Sequence, residues 1–378
     1  MVTGLGVCAP NGVGVPNFQK AIEEGKSGIR FFSELKKLNF SCQIGGMPLI
    51  PESKKLDYFT PLQLRNFNSS GILYGVFAGM EAWHDAGLEI NEENCDFDSG
   101  TIFGVGSLGV DKYRESIYQV DAGHTRRLGS TSVQQTMSSG ISAYLGGMLG
   151  LGNLVTTNSS ACSTGTEAIL LAYERIKSGK AKRMLAGSTS DGGPYVWSGF
   201  DALRILPSEY NENPMHASRP MDKDAKGFVP GGSMTAPNPV SVKRCIKDAL
   251  EDAGVQSHEI DAINGHLTAT AKDALEIHNW TEALGRDGKD FPFINSLKGM
   301  TGHCLAAAGS IECVASVLQL KYNFLFPNIN IDNIHSEISS LIHPSCIPQK
   351  KLNKKLKILA KASFGFGDVN CCLIFSQK

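Results

Sequence analysis

The stretch Leu154-Val-Thr-Thr-Asn-Ser-Ser-Ala-Cys-Ser-Thr-Gly-Thr-Glu-Ala-Ile169 decides how the rest of the chain is read. Its first four residues (154–157) read as a strand. From Thr164 the apolar positions 168, 169, 171, 172 and 176 recur at helical spacing, and the run closes on basic residues and Gly179. A strand therefore passes through a tight turn into a helix, with Cys162 at the junction. A thiol there faces unpaired backbone N–H groups and the positive end of a helix dipole, and both favour the reactive thiolate. The turn also lifts the side chain out of the packed layers, by the logic of a nucleophile elbow. The plain reading for most of the ten cysteines is a small buried hydrophobe. Small and hydroxyl-bearing neighbours set Cys162 apart as the candidate nucleophile.

Outward from this junction, residues 101–105 and 183–187 read as buried strands: short, apolar and bounded by Gly or charge. Helical patterns run over 73–86, 164–178, 241–253, 273–284 and 306–320. Strand and helix alternate in both halves, which predicts a layered α/β protein with mainly parallel sheets covered on both faces.

The chain has 378 residues with 36 Lys+Arg against 37 Asp+Glu, a net charge of −1. That balance excludes the basic field on which nucleic-acid binding depends. Hydrophobic residues at 42% and charged residues at 19% are ordinary globular usage and exclude a disordered chain. The 41 glycines exceed the usual share and suit tight strand-to-helix turns. No cysteine pair has the spacing of a redox or zinc motif, so no metal is expected. The N-terminus has no basic or long apolar leader. The longest apolar stretch, 141–155, is broken by four glycines and Asn153, so no membrane span is expected. The reading is a reduced, cytoplasmic, soluble protein.

Two histidines sit in settings like that of Cys162. His266 lies in Ile-Asn-Gly-His-Leu-Thr-Ala-Thr, between a short apolar run and a helix. His303 heads an Ala-rich helix in Asn-Ser-Leu-Lys-Gly-Met-Thr-Gly-His-Cys-Leu-Ala-Ala-Ala-Gly. Both fall near the C-terminal ends of predicted strands, where open α/β sheets place ligands. His84, His216 and His335 lack that setting and read as ordinary surface or core residues. Lys298 follows an apolar strand, where a buried ammonium needs a partner, and Glu312 on the next helix is the candidate.

These stretches, with Ala-Ser-Phe-Gly-Phe-Gly-Asp-Val-Asn at 362–370, resemble the four motifs of the elongating β-ketoacyl-acyl-carrier-protein synthases, in the family's order and spacing. Val-Thr-Gly-Leu-Gly at the start and Asn-Pro-Met-His-Ala-Ser-Arg-Pro-Met-Asp at 213–222 are also similar, so the resemblance spans nearly the whole chain. It implies a five-layer αβαβα thiolase fold. The N-terminal half (1–232) would carry the nucleophile and the C-terminal half (233–378) the two catalytic histidines, usually in a homodimer whose interface lies near the active sites; a heterodimer with a paralogue is the variant arrangement. The resemblance further implies that Cys162 takes an acyl chain from the phosphopantetheine arm of acyl-carrier protein. His266 and His303 would then promote decarboxylation of malonyl-carrier protein and stabilise the enolate. The backbone N–H groups of Cys162 and Phe366 would form the oxyanion hole, with Phe366 as gate. Lys298 paired with Glu312 would orient the site, and Thr268 and Thr270 would bind the pantetheine arm. The enzyme itself would bind no cofactor. Two alternatives remain. A catalytically silent chain-length-factor-like partner would lack the nucleophile. A degradative thiolase needs a second cysteine in a Cys-x-Gly loop, which Cys371-Cys372-Leu-Ile does not supply.

Four departures from the family pattern mark this chain: Leu267 and Lys272 where Gly is usual, Glu167 on the nucleophile helix, and Asp368 for the last Gly of its motif. They fit a specialised polyketide or polyene condensing enzyme at least as well as a fatty-acid synthase. Asp368 is expected to turn away from the site or to pair with Lys272. The resemblance also implies a strand and a charged helix between Gly232 and Ser233 that the sequence does not contain. A break in the chain at that point is the expectation, and a rearranged sheet the alternative.

Overall fold

The structure, a computed structural model, describes residues 1–90, 95–230 and 238–377. Strands β1 (Ser99–Val105), β2 (Val155–Thr156) and β3 (Arg183–Thr189) form a parallel sheet in the order β2-β1-β3. All seven residues of β1 are buried, as a central strand covered on both faces requires. One face is covered by α1 (Ser70–Asp85) and α2 (Gly140–Leu149), through Ile72, Val76, Met80, Ile141 and Leu145 packed around Phe103 and Val105. The other is covered by α3 (Thr164–Lys177), through Ala168 and Ala172 against Ile102.

The second half repeats the plan. Helix α4 (Pro239–Ala253) precedes β4 (Ala262–Asn264), α5 (Asp273–Leu284), β5 (Phe293–Asn295), α6 (Ala308–Tyr322) and the hairpin β6 (Ile358–Gly365) with β7 (Val369–Ser376). The sheet order is β7-β6-β4-β5, parallel except for the hairpin. Val242, Ile246, Ile277 and Trp280 of α4 and α5 pack on its outer face. Helices α3 and α6 fill the layer between the two sheets, which completes the five-layer thiolase-like fold. They cross closely because small residues meet there. A Cβ on Gly165 would lie 2.4 Å from the Ser310 nitrogen, and one on Gly309 2.6 Å from the Thr166 nitrogen.

The expected elements are present with small shifts at their ends. The helix expected over 306–320 begins as a 3₁₀ turn, Leu305–Ala307, and turns α-helical at Ala308. The strand expected over 154–157 is reduced to two paired residues. His84 and His216 are exposed, and the half-buried His335 caps a short helix by accepting from the Glu337 N–H.

The junction of Gly232 with Ser233, and with it the boundary between 1–232 and 233–378, lies outside the described residues. The sheets on either side of it are described. The first-half sheet has three strands there and the second-half sheet four. Strands β3 and β7 each pair on one side only among the described residues. Both line one mostly apolar cavity of about 1730 Å³, which residues 1–8 close from another side.

Candidate active site

The cysteine turn is a single 3₁₀ turn, Ala161–Ser163, at the head of α3. Ala161 takes a φ of 48°, a left-handed conformation that a non-glycine residue adopts only when its surroundings hold it there. Hydroxyl groups do the holding, which explains their density in this stretch. Thr164 Oγ1 donates to the Ala161 carbonyl (2.6 Å) and accepts from the Ser160 N–H (2.8 Å). Ser163 Oγ donates to the Val369 carbonyl (2.7 Å), and Thr166 Oγ1 bonds Ser363 Oγ (2.8 Å), tying the turn to both strands of the hairpin. Glu167 joins the same scaffold, accepting from Asn158 Nδ2 (2.7 Å) and from Ser160 Oγ.

The second-half motifs converge on this turn. The ligand atoms of Cys162, His266 and His303 all lie within 4.8 Å of one another, and all three residues are buried. The two imidazoles meet edge to face, with centroids 5.4 Å apart. Their tautomers follow from their partners. His303 Nδ1 accepts from the Leu305 N–H (3.2 Å), which leaves the proton on Nε2, a buried atom with no partner among the described residues. His266 Nδ1 faces the Lys298 ammonium at 3.5 Å, which likewise makes Nδ1 the acceptor and Nε2 the donor. Burial, and after it the charges of Lys298 and Lys361, hold both histidines well below the ordinary 6.5, so both are neutral donors at neutral pH.

Lys298 is buried and ion-paired with buried Glu312, as the sequence suggested. Sequence reading missed two groups. Lys361 on β6, fully buried, makes a second ion pair to Glu312 at 2.8 Å. Glu276 on α5 accepts from the backbone N–H groups of His266 and Leu267, both at 2.7 Å, and so sets the loop that carries the imidazole. A carboxylate three residues into a helix is a common sight, and no local signal marks Glu276 as a loop anchor. Lys361 in an otherwise apolar strand, Ile-Leu-Ala-Lys-Ala, was the visible signal for the other.

Phe366 is half-buried in the hairpin turn after Gly365, and a Cβ on Gly365 would lie 3.1 Å from the Ser160 carbonyl oxygen. The hairpin turn thus abuts the cysteine turn. Thr268 and Thr270, both half-buried, bond each other through their hydroxyls (3.1 Å), and buried Asp273 accepts from the Thr268 N–H (2.9 Å). Asp368 turns away from the site, as expected, but its pairing with Lys272 is corrected. Its carboxylate accepts from Asn370 Nδ2 (2.8 Å) and the Asn238 N–H (3.1 Å), while exposed Lys272 stands at the head of α5. Slight burial opposes ionisation of Asp368, but hydrogen bonds from Asn370, Ser241 and Asn238 outweigh it and lower its pKa. At φ 62° it occupies a backbone conformation that favours glycine.

Six other cysteines are held as thiols by burial. Burial pushes the thiols of Cys42, Cys304 and Cys313 up to about 12, and those of Cys8, Cys371 and Cys372 upward too. A Cys–His–His set is also a donor set that zinc could use. The two buried ammonium groups behind it oppose a resident cation and favour an anion instead.

A strained cysteine turn at a helix N-terminus, facing two neutral imidazole donors across a five-layer α/β core, defines an acyl-transfer site of the condensing-enzyme class. Residues 1–236 match the family described as Beta-ketoacyl synthase, N-terminal domain, and residues 229–332 its C-terminal domain. The chain belongs to the β-ketoacyl synthase family and is an acyltransferase. It is 30% identical to the 3-oxoacyl-[acyl-carrier-protein] synthase 2 of Vibrio harveyi over 422 aligned positions, covering 100% of this chain and 98% of that protein. The corresponding figures for Vibrio cholerae are 31% over 418 positions, with the same coverage. A solved type II polyketide ketosynthase, in complex with its acyl-carrier protein, superimposes with a TM-score of 0.85 at 25% identity, covering 100% and 98% of the two chains. These comparisons do not favour a silent partner subunit or a degradative thiolase.

Proposed function

We propose that this protein condenses a Cys162-bound acyl chain with malonyl-acyl-carrier protein, and that the residues described above divide the work as follows. The Cys162 sulfur attacks the thioester carbonyl of an acyl-carrier protein, and the pantetheine thiol leaves with the proton. Malonyl-carrier protein then takes its place. Its C–C bond to the carboxylate breaks, CO2 departs, and the electron pair moves onto the thioester oxygen, where the Nε2–H groups of His266 and His303 donate to the developing enolate. The enolate carbon attacks the acyl-Cys carbonyl and expels the Cys162 thiolate, leaving a chain longer by two carbons. Backbone N–H groups of Cys162 and Phe366 receive the tetrahedral oxyanion. Thr268 and Thr270 bind the pantetheine arm, and Lys298 with Glu312 orients the site. The enzyme needs no bound cofactor, because the substrates bring their own carrier arm.

The observation that carries this reading is the placement of a thiol and two neutral imidazole donors within 4.8 Å of one another. Acyl-carrier protein is the partner, and the working protein is a homodimer in the cytoplasm. No helix among the described residues is long and apolar enough to cross a membrane. The departures at Glu167 and Leu267 favour a specialised acyl chain. The test is mass spectrometry of products from malonyl-carrier protein and a panel of acyl-carrier proteins, with Cys162→Ala as control. The variant loses self-acylation and condensation and retains malonyl decarboxylation. A covalent acyl-enzyme on the Cys162→Ala protein would show that another residue is the nucleophile.

A further inference from the structure

Glu312 is a single carboxylate shared by two ammonium groups. Lys298 takes one oxygen, and Lys361 takes the other at 2.8 Å. All three side chains are buried, Lys361 completely. Lys361 sits mid-strand, opposite Asn264 on β4 and Leu373 on β7, and its ammonium also donates to Ser363 Oγ (3.0 Å) and the Ala362 carbonyl. Ser363 in turn bonds Thr166 Oγ1 on the nucleophile helix. The other titratable groups whose charge Lys361 feels are His266 and His303 above it, Cys313 on α6, and Cys371 and Cys372 on β7. Glu167, whose charge raises the Cys371 thiol, is engaged by Asn158 Nδ2 and Ser160 Oγ at the cysteine turn. Glu276, the further acid near Lys298, is committed to the N–H groups of His266 and Leu267, and burial pushes it up to about 7.

One Lys–Glu pair would be electrically closed. Below pH 7, where burial keeps the proton on Glu276, two lysines on one glutamate leave a positive charge unbalanced in a dry interior, where an unpaired charge is costly. The anions that can balance it are those the reaction makes a few ångströms away: the Cys162 thiolate and the enolate oxygen. We propose that Lys361 is a second positioning lysine, acting through Glu312 to leave the site one positive charge in excess, so that the histidines stay neutral and the sulfur and enolate anions are favoured. This rests on the condensing reading above. Lys361 touches no substrate atom in that reading.

The test uses the full-length protein and two readouts, one needing no substrate. In Lys361→Met, which keeps bulk and removes charge, the pH midpoint for iodoacetamide alkylation of Cys162 rises by about one unit, a roughly tenfold lower rate on the acid side. The acid limb of the condensation profile shifts upward equally, because the histidines protonate more readily. Lys361→Arg keeps the wild-type midpoints. A purely structural lysine would lower thermal stability and leave both midpoints in place, and that result overturns the proposal. If Lys361→Met does not fold, Lys361→Ser is the second neutral variant. If neither folds, Lys361→Gln, which keeps a polar contact to Ser363, is read in the same two assays, and midpoints unchanged from wild type overturn the proposal. Alkylation is read without acyl substrates, so a wild-type protein that makes no condensation product would sink the proposed function while leaving this measurement intact.

Discussion

Replacing Glu276 by Gln should stabilise the protein at alkaline pH while slowing it, and the structure sets the size of both effects. The Glu276 carboxyl is 5% exposed on α5 and receives two backbone N–H groups, those of His266 and Leu267. Burial, reinforced by neighbouring Asp273, outweighs those hydrogen bonds and raises its pKa from an ordinary 4.5 to about 7. For an acid raised on folding, the native state holds its proton more tightly than the unfolded chain does. The group therefore costs nothing below pH 4.5, and the cost grows as pH rises and is complete above 7. A shift of that size is worth about 3 kcal/mol. Glutamine copies the protonated acid in shape and charge. The Glu276→Gln protein should match the wild type near pH 4.5 and exceed it by about 3 kcal/mol at pH 8. Urea titrations between those limits, followed by fluorescence of Trp280 one turn along the same helix and fully buried, read this directly. The amide has one acceptor where the carboxylate has two, so one of the loop N–H groups loses its partner and His266 loses part of its aim. Condensation at pH 8 should fall while Cys162 alkylation stays near wild type. A variant whose stability tracks the wild type at every pH, or falls below it at pH 8, would refute the linkage.

His303→Ala removes the Nε2–H donor that lies buried and unpartnered in the site. It should lower condensation by about 3–4 kcal/mol of barrier, two to three powers of ten, while the acyl-enzyme still forms and is seen by mass spectrometry. Condensation within tenfold of wild type would remove His303 from the enolate's donors. Asp368→Gly exchanges a left-handed aspartate, tied to Asn238 and Asn370 outside the site, for the residue that backbone conformation favours. Rate and acyl preference should stay within about twofold of wild type in competition assays with mixed acyl-carrier proteins, and a changed preference would place Asp368 in acyl selection.

The nucleophile, both histidines and Lys298 were legible because each sits near where a strand ends and a helix begins, a boundary that sequence marks with Gly, small residues and hydroxyls, and Glu312 followed only as the partner a buried Lys298 needs. Residues that act from the middle of regular structure leave no such mark. Lys361 lies within an eight-residue strand and Glu276 one turn into a helix, and what each does depends on partners 49 and 10 positions away. Asp368 was recognised as unusual, but its partners were not, because Asn238 lies 130 residues away and only the fold brings it close.

The same limit governs what the sequence said about its own shortness. The relatives align over 418–422 positions against 378 residues here while covering this chain fully, so several dozen of their positions have no counterpart. The family resemblance located that difference near Gly232 and expected its loss to be felt in the first-half sheet. Residues 231–237 lie outside the described residues, and the sheets on either side are described. Among the described residues β3 ends the first sheet and β7 ends the second, and both strands line one mostly apolar cavity. Exposed edges are normally blunted by charge, bulges or cover, because their free N–H and C=O groups cost stability or recruit another strand. Here Leu373, Ile374 and Phe375 on β7 and Met184, Leu185 and Ala186 on β3 all line that space. His303 lines that space too, and the rest of the catalytic cluster sits away from it. Cys162, His266, Lys298, Glu312 and Lys361 are held by α3, α5, α6 and the inner strands β4 and β6, none of which is a sheet edge on that side. A chain loosened at β3 and β7 would exchange the amides of those two strands early, while Cys162 kept its reactivity until the middle layer opened.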